Sequence, residues 1–463
     1  MKITVIGAAG GEVTGSAYMV QTKKARVLVD CGLFQGGKAT EAKNRPPTKA
    51  QSRLDAVVIT HGHLDHTGRL PLLAKLGYQG PVFLTQATHE MASLILRDAV
   101  RIQEQDCERQ NRKRMRGGEP PRELLYTSDD VESIIRTFKT VPYEHLVTIA
   151  PGVQACFAEA GHMLGSASIQ LTVDEDGRQK RIVFSGDLGP KGVPMLRKFE
   201  PFHTADIVFL ESTYGDRDHR PFRDTVDEFV EIVKTAVDNH GKILIPTFAI
   251  GRAQLLIALL SLMFRKKMVK PFPLFLDSPM AIEATSIYTQ HLELFDDAIL
   301  KYIREKPLRE DLKTLTPCVT AEQSKTINQC PGPCLVMAGA GMCNAGRILH
   351  HFRQNLWKPE TCVLMVGYQA RNSLGHLLLE GAKQVNIFGE KVAVKAKVHT
   401  LGGFSAHAGQ TDLLAWVDAI AASKPMMVLT HGEDRQRQAL AQHIKKQYKL
   451  RTLLPGQRDI IDV

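Results

Sequence analysis

The sequence lacks a long apolar segment and a paired cysteine motif. No run of about 18 consecutive apolar residues occurs, the shortest that indicates a transmembrane helix, so no membrane span is expected. None of the eight cysteines forms a C-x-x-C pair. Cys330 and Cys334 flank Pro-Gly-Pro, where a cysteine-only zinc knuckle is a weaker alternative than two reduced thiols. Scattered reduced thiols are typical of a cytoplasmic protein, which is the predicted location.

Aromatic residues are also scarce, whereas positive charge is in excess. Phe, Trp and Tyr make up 6% of the 463 residues, and the net charge is +10. This charge favours an acidic partner such as nucleic acid, although many basic enzymes bind none. The hydrophobic fraction of 43% is ordinary for a globular protein. The length predicts two or three domains.

One short segment concentrates residues that bind metals. His61, His63, Asp65 and His66 follow the apolar run Ala56–Ile59 and precede a predicted helix. Imidazole nitrogens and carboxylate oxygens suit zinc among other divalent metals, and the H-x-H spacing lets two rings converge on one ion. The aspartate and the third histidine, at the start of the helix, would serve a second ion. A polar loop with chance histidines is the weaker explanation, because crowded imidazoles repel one another once protonated.

Other ligand-type residues directly follow predicted strands, namely Asp30, His162, Asp187 and His431. Taken alone, a histidine such as His162 is more often a core or turn residue, and Asp30 could be a turn aspartate. Ligands clustered at strand ends are nevertheless what a metal site on the rim of a sheet requires. In such a site Asp30 could orient a ligand histidine without touching the metal.

Further along the chain, two segments could bind anions. Residues 88–116 predict a long helix whose basic end, from Arg109 to Arg116, could contact phosphates or simply be a solvated helix face. From about residue 216 helices and strands alternate, which predicts a doubly wound parallel unit. There the segment Gly339–Gly346 follows a strand and precedes a helix. It could be an anion cradle of backbone N–H groups or a simple tight turn.

The motifs together resemble the metallo-β-lactamase superfamily. The carriers of this resemblance are His61-x-His63-x-Asp65-His66, His162, Asp187 and His431. Three more motifs are similar to the signatures of its nucleic-acid-processing β-CASP branch: Glu211-Ser-Thr-Tyr-Gly, Phe404-Ser-Ala-His407-Ala and Thr-His431-Gly-Glu. The resemblance covers essentially the whole chain. It implies an α/β fold, an αββα metallo-β-lactamase sandwich (residues 1–215 and 391–463) with an inserted β-CASP parallel-sheet domain (residues 216–390).

The resemblance also implies the roles of the site residues. Two zinc ions are expected, with Mn²⁺ or Fe as less favoured occupants. One zinc would be held by His61, His63 and His162, the other by Asp65, His66 and His431, with Asp187 bridging both and Asp30 behind the ligands. Asp65, His407 and Glu211 would be catalytic, with His407 as the general acid, held and polarised by Glu211.

The implied activity is hydrolysis of RNA phosphodiester bonds by a hydroxide bound to two zinc ions. RNA is favoured over DNA because His431 stands where the DNA-repair branch typically has an apolar residue. Endonucleolytic cleavage is favoured, since the chain leaves no room for the C-terminal domain of ribonuclease J. The alternatives are a 5′-to-3′ exoribonuclease, a glyoxalase-type hydrolase of small molecules and a non-catalytic scaffold.

The expected partner is therefore RNA, and a homodimer is a further expectation. Because aromatic residues are few, contacts are expected mainly with the RNA backbone. The candidate phosphate-binding residues are Gly341, Asn344, Gly346 and Arg252. Arg252 could instead serve domain packing.

Overall fold

The structure is a computed structural model that describes residues 1–44, 53–175, 177–370 and 373–463. The chain divides into two compact units. The first comprises residues 1–191, 197–218 and 407–463, and the second comprises residues 192–196 and 219–406. Among the described residues, no helix combines the length and the apolar character needed to cross a membrane.

The elements are numbered in chain order. The strands are β1 (Lys2–Gly7), β2 (Ala17–Gln21), β3 (Arg26–Val29), β4 (Ala56–Val58), β5 (Val82–Leu84), β6 (Phe138–Thr140), β7 (Val147–Ala150), β8 (Val153–Glu159), β9 (Ala167–Glu175), β10 (Arg178–Phe184), β11 (Ile207–Glu211), β12 (Lys242–Pro246), β13 (Leu274–Asp277), β14 (Leu315–Pro317), β15 (Cys334–Ala338), β16 (Cys362–Met365), β17 (Gln384–Ile387), β18 (Glu390–Ala393), β19 (Lys397–Thr400), β20 (Met426–Thr430), β21 (Thr452–Leu453) and β22 (Ile460–Asp462). The helices are α1 (Lys38–Glu41), α2 (Leu64–Thr67), α3 (Leu70–Lys75), α4 (Gln86–Arg116), α5 (Ser128–Ile135), α6 (Phe222–Asp238), α7 (Arg252–Arg265), α8 (Pro279–Gln290), α9 (Asp297–Glu305), α10 (Leu308–Asp311), α11 (Ala321–Thr326), α12 (Ile348–Asn355), α13 (Leu374–Leu379), α14 (Gln410–Ile420) and α15 (Asp434–Tyr448).

The first unit contains two seven-stranded sheets. Their strand orders are β22-β1-β2-β3-β4-β5-β6 and β21-β20-β11-β10-β9-β8-β7. One apolar core contains side chains of both sheets, among them Val5, Val58, Phe157 and Phe209. Alternate residues of β1 are fully buried, as the two-residue period of a strand requires when one face packs on a core. The two sheets therefore pack face to face.

Helices cover the outer faces of this sandwich. Leu72 of α3, Leu96 of α4 and Ile134 of α5 pack in one cluster with Val57 of the first sheet. Trp416 of α14 belongs to a second cluster, which also contains residues of α15, β11 and β20. The order of layers is thus αββα, and the predicted metallo-β-lactamase type of fold is confirmed.

The second unit contains a six-stranded sheet in the order β14-β13-β15-β12-β16-β19. All its strand pairs are parallel. The central strands β12 and β15 are buried throughout, which explains their nearly continuous apolar sequence. This is the parallel sheet predicted for the inserted domain.

The structure differs from the predicted elements at the end of the second unit. The apolar alternation over Val392–Val398 predicts a single strand, and this prediction is wrong, because two strands with different partners occupy this region. Strand β18 forms an antiparallel hairpin with β17, whereas β19 adds a parallel edge next to β16. This second pairing extends the second unit to Ala406, whereas the domain end predicted from the sequence is residue 390.

Candidate metal centre

Parallel strands of the first unit deliver polar side chains to one edge of each sheet. In the second sheet β10, β11 and β20 are parallel, and Asp187, Glu211 and His431 lie at or just beyond their carboxyl ends. In the first sheet β3 and β4 are parallel, and Asp30 and His61 follow their ends. Residues at the carboxyl ends of neighbouring parallel strands lie close together. The fold therefore gathers side chains that are hundreds of residues apart in the chain.

The loop after β4 leads into the short helix α2, which supplies Asp65 and His66 from a single turn. Gly62 lies between the two histidines of the H-x-H motif, and a Cβ there would lie 3.1 Å from the backbone nitrogen of Ala92 in α4. A glycine at this position lets the loop approach the helix closely. The loop therefore rests directly on the N-terminal half of α4.

The first group of ligand-type side chains consists of His61, His63, His162 and Asp187. The Nε2 atoms of His61 and His162 each lie 3.2 Å from Nδ1 of His63. The same two Nε2 atoms lie 3.5 Å and 3.6 Å from Oδ2 of Asp187. A tetrahedron with metal–ligand bonds of about 2.0–2.2 Å has edges of about 3.3–3.6 Å. The four side chains are thus spaced as the ligands of one zinc-sized ion.

The second group consists of Asp65, His66, Asp187 and His431. Nε2 of His66 lies 3.3 Å from Nε2 of His431 and 3.3 Å from Oδ1 of Asp187. Nε2 of His431 lies 3.5 Å from Oδ2 of Asp65. Asp187 belongs to both groups and turns one carboxylate oxygen toward each of them. The structure therefore brings together all the ligand residues predicted from the sequence.

The chemistry of these side chains fits a bound cation. Oδ1 of Asp187 is buried and accepts no hydrogen bond of good geometry within the described residues. Burial alone would raise the pKa of Asp187, but His431, His66 and His61 lower this pKa well below its usual range. Burial also lowers the pKa of His61 and His63. Ionised carboxylate and neutral imidazole are the forms that bind metals.

His66 differs from the other histidines because it contacts two carboxylates. Burial opposes its charged form, but Asp187 and Asp30 raise its pKa well above the usual value. Its Nδ1 lies 2.7 Å from Oδ2 of Asp30, and Asp30 also accepts hydrogen bonds from the backbone N–H and the hydroxyl of Thr60. Asp30 is thus placed to fix the ring of His66, and metal binding at Nε2 would release a proton.

Two threonines contribute contacts that were not predicted from the sequence. The Thr60 hydroxyl lies 3.1 Å from Nδ1 of His61, and the Thr213 hydroxyl lies 3.2 Å from Nδ1 of His431. Thr60 stands beside the H-x-H motif, and Thr213 lies within the Glu211-Ser-Thr-Tyr-Gly motif. Thr60 precedes His61 directly, whereas Thr213 follows Glu211 and is far in sequence from the histidine it contacts, so the sequence alone does not single it out.

His407 and Glu211 form a pair next to the ligands. Nδ1 of His407 lies 3.3 Å from Oε1 of Glu211 and 4.0 Å from Oδ2 of Asp187. The carboxylate of Glu211 is buried and accepts hydrogen bonds from the backbone N–H groups of Leu188 and Thr213. Burial opposes the charged form of His407, but Glu211 and then Asp187 raise its pKa to about 9. The imidazole is therefore protonated at neutral pH.

The candidate phosphate-binding residues lie in the second unit. Gly341, Asn344 and Gly346 belong to the loop between β15 and α12, and Arg252 begins α7 after β12. Strands β12 and β15 are parallel neighbours, so both loops leave the same edge of the sheet. The side chain of Asn344 accepts a hydrogen bond from the backbone of Leu374. Phosphate binding by these residues stays a prediction.

Three family models match the chain. They are described as Metallo-beta-lactamase superfamily (residues 10–82), Beta-Casp domain (residues 253–378) and Zn-dependent metallo-hydrolase RNA specificity domain (residues 391–455). Together with the His/Asp geometry, the zinc-dependent family supports a metal cofactor in this chain.

Several known proteins are similar over nearly the whole chain. Ribonuclease TTHA0252 of Thermus thermophilus is 38% identical over 95% of this chain and 95% of its own length. Transcription termination factor FttA of Methanocaldococcus jannaschii is 30% identical, over 100% of this chain and 72% of that protein. A solved structure of a protein of unknown function from Enterococcus faecalis V583 has a TM-score of 0.55 at 12% identity, covering 100% of this chain and 99% of that one. This last likeness concerns the fold alone.

Proposed function

Because the chain belongs to the β-CASP family of the metallo-β-lactamase superfamily, we propose that it is a metal-dependent ribonuclease. It hydrolyses phosphodiester bonds of RNA, and cleavage is endonucleolytic. The observation that carries the proposal is the convergence of ligand-type side chains in two groups that share Asp187. The 38% identity to a ribonuclease over 95% of both chains supports the same substrate.

Two zinc ions are the proposed cofactor. His61, His63 and His162 would hold one, Asp65, His66 and His431 would hold the other, and Asp187 would contact both. When bound, such ions supply an activated water near neutral pH and stabilise the charge that develops on the phosphate. Asp30 and Thr213 act behind the ligands, since each contacts the ring nitrogen that faces away from the site.

His407 is the proposed general acid. Departure of the 3′ oxygen of RNA requires a proton, and a protonated imidazole near the ligands could supply it. Glu211 keeps this imidazole charged and in place through the 3.3 Å contact with Nδ1. The side chain of His407 is 24% exposed, in contrast to the fully covered Glu211, so a substrate can reach it.

The proposed location is the cytoplasm, and a homodimer is proposed as the solution form.

The test combines metal analysis with an end-label assay. A structured RNA labelled separately at its 5′ and 3′ ends is incubated with the parent protein and with the His66→Ala, His407→Ala and His443→Ala variants. His443 is an exposed histidine of α15 and serves as the matched control. We expect internal fragments from the parent and the control only. His66→Ala should also bind less zinc, whereas His407→Ala should keep the zinc content of the parent.

The other outcomes distinguish the alternatives. Release of mononucleotides from the 5′ end would show that the protein is a 5′-to-3′ exonuclease and not an endonuclease. Hydrolysis of a thioester without RNA cleavage would indicate a small-molecule hydrolase. Zinc binding without either reaction would favour the scaffold.

A further inference from the structure

The second half of α4 extends beyond the core of the first unit. The helix has 31 residues, but Val100 is its last buried one. At a rise of about 1.5 Å per residue, the part beyond Val100 spans about 24 Å. A segment that returns from the helix end to α5 packs along it, and we call residues 101–128 the arm.

Hydrogen bonds join one face of this helix to the returning segment. The side chain of Asn111 donates to the carbonyl of Arg122 and accepts from its backbone N–H. Gln103 donates to the hydroxyl of Tyr126, and Glu104 accepts from the hydroxyl of Ser128. The arm is therefore a built two-layer structure, even though it contributes little to the apolar core.

The opposite face of the helix is basic. Arg109, Arg112, Lys113 and Arg116 are exposed and follow the spacing i, i+3, i+4 and i+7, which places them on one side of a helix. We call these four residues the basic face. The stretch 109–122 holds six basic residues and one acidic residue, so its net charge of +5 is half the net charge of the whole chain.

Local ion pairs do not neutralise this face. Arg109 pairs with Asp106, and the contact of Arg112 with Glu108 is 3.9 Å long between two exposed side chains. Within the described residues, no ion pair involves Lys113 or Arg116. Cations at a helix C-terminus are stabilised by the helix dipole, but that effect is confined to the last turn. The dipole therefore does not account for Arg109 and Arg112, and like charges three and four residues apart repel each other.

Helix α4 connects the basic face to the metal centre. Thr85 and Thr88, at its start, both donate hydrogen bonds to the carbonyl of Gly165 in the loop of His162. From Met91, which lies beside Gly62, to Lys113 the helix rises about 33 Å. A stacked nucleic-acid strand advances about 3.4 Å per nucleotide, so about ten nucleotides cover this distance.

We propose that the basic face is an accessory RNA-binding surface that holds the phosphate backbone about ten nucleotides away from the cleaved bond. This inference rests on the proposed function, because the polyanion at the metal centre is the same RNA. The four cations extend over about 10 Å of helix, which matches several consecutive phosphates. Binding at this surface is independent of base sequence, since charged side chains contact only the backbone.

The test compares two triple variants with the same loss of charge. The arm variant carries Arg112→Gln, Lys113→Gln and Arg116→Gln. The control carries Lys445→Gln, Lys446→Gln and Arg451→Gln, which are also exposed and lie at or just after the C-terminal turn of a helix in the first unit. Cleavage kinetics are measured with RNAs of about 30 and about 6 nucleotides, of which only the longer reaches the arm. Equilibrium binding of the longer RNA in 2′-O-methyl form is measured by fluorescence anisotropy, and its integrity is checked on a gel.

For the arm variant we expect roughly tenfold weaker binding and a roughly tenfold higher KM with the long RNA, at unchanged kcat. The slope of log affinity against log salt is negative, and its magnitude should decrease by about 2, because each lost phosphate contact removes about 0.7. The short RNA should be cleaved as by the parent. If the parent neither cleaves nor binds RNA, the proposed function is wrong. If the parent cleaves both RNAs, two results would show that the accessory surface alone is wrong. In the first, the arm variant binds and cleaves the long RNA as the parent does. In the second, the control is impaired to the same extent as the arm variant.

Discussion

Glu159 is a buried carboxyl group close to the metal centre. It ends β8, three residues before His162, and accepts a hydrogen bond of 2.9 Å from the backbone N–H of Gly161. Burial raises its pKa to about 8, although the N–H of Gly161, Tyr143 and Arg197 act in the opposite direction. The folded protein thus keeps a proton at neutral pH that the unfolded chain releases above about pH 4.5.

This pKa predicts a pH dependence of stability. Between about pH 4.5 and 8 the folded state binds more protons than the unfolded state, so the free energy of unfolding falls as pH rises, by at most about 1.4 kcal/mol per unit from this group. Glu159→Gln is neutral at every pH and keeps an oxygen for Gly161. We expect the variant to lose less stability than the parent between pH 5 and pH 8, as measured by denaturant unfolding.

The comparison is a difference between two proteins, so the titration of the ligand histidines cancels. Glu132→Gln is a suitable control, because the side chain of this glutamate is 44% exposed and its pKa is lowered by Arg97. Parallel stability curves for the parent and Glu159→Gln would show that the carboxyl group is ionised in the folded protein.

At the same scale, the ligand residues and the supporting Asp30 were predictable, whereas the two supporting threonines were not. Histidines in an H-x-H-x-D-H array carry a recognisable spacing, and His162, Asp187 and His431 each follow a strand. Thr60 and Thr213 carry no comparable signal, since a threonine next to a strand end is common. Only the three-dimensional structure shows that their hydroxyls contact ligand rings.

At the scale of elements, the approach of α4 to the loop of His162 depends on a glycine. Gly165 has φ +84°, and a Cβ there would lie 2.5 Å from the backbone nitrogen of Thr88. Gly177 has a similar φ of +78°, and among the described residues beyond its chain neighbours no atom lies within 4 Å of its Cβ position. The two glycines therefore have nearly the same backbone conformation, but only at Gly165 would an added Cβ meet neighbouring atoms among the described residues.

We predict that Gly177→Ala costs about 1 kcal/mol of stability, from the left-handed backbone alone. Gly165→Ala should cost about 1–3 kcal/mol more, because the helix and the loop must separate. The unfolded-state effect of adding a methyl group is the same in both variants. Denaturant unfolding measures the difference, and zinc analysis should show lower occupancy only for Gly165→Ala. Equal destabilisation of the two variants would mean that the loop adapts without strain.

Most elements with strong periodicity were predictable, α4 among them, whereas strand partners were not. The apolar alternation of Val392–Val398 is real, but a local pattern does not record that β18 pairs within a hairpin and β19 with β16. The residues between β18 and β19 connect the two-stranded sheet to the six-stranded parallel sheet. Pairing between distant strands is a tertiary property, and this is why the single predicted strand is wrong.

At the scale of the whole molecule, each of the two units contains apolar clusters of its own. The clusters of the sandwich contain residues of the first unit, whereas Leu244, Val336 and Phe352 belong to a cluster in the second. The resemblance predicted this division, since the last ligand lies far from the others in the sequence. It placed the end of the insertion at residue 390, because composition does not change where β19 joins the parallel sheet.

Because each unit has its own clusters and all the ligand residues lie in the first, we predict that metal binding stabilises one unit only. A ligand that binds only the folded state adds about 4.1 kcal/mol per site to the free energy of unfolding when its free concentration is about 1,000 times its Kd. All the ligand residues belong to the first unit, so zinc should raise one of two calorimetric transitions and leave the other unchanged. Chelation should reverse the shift, and Asp187→Asn should abolish it. A zinc-dependent shift of both transitions, or a single transition, would mean that the two units unfold as one.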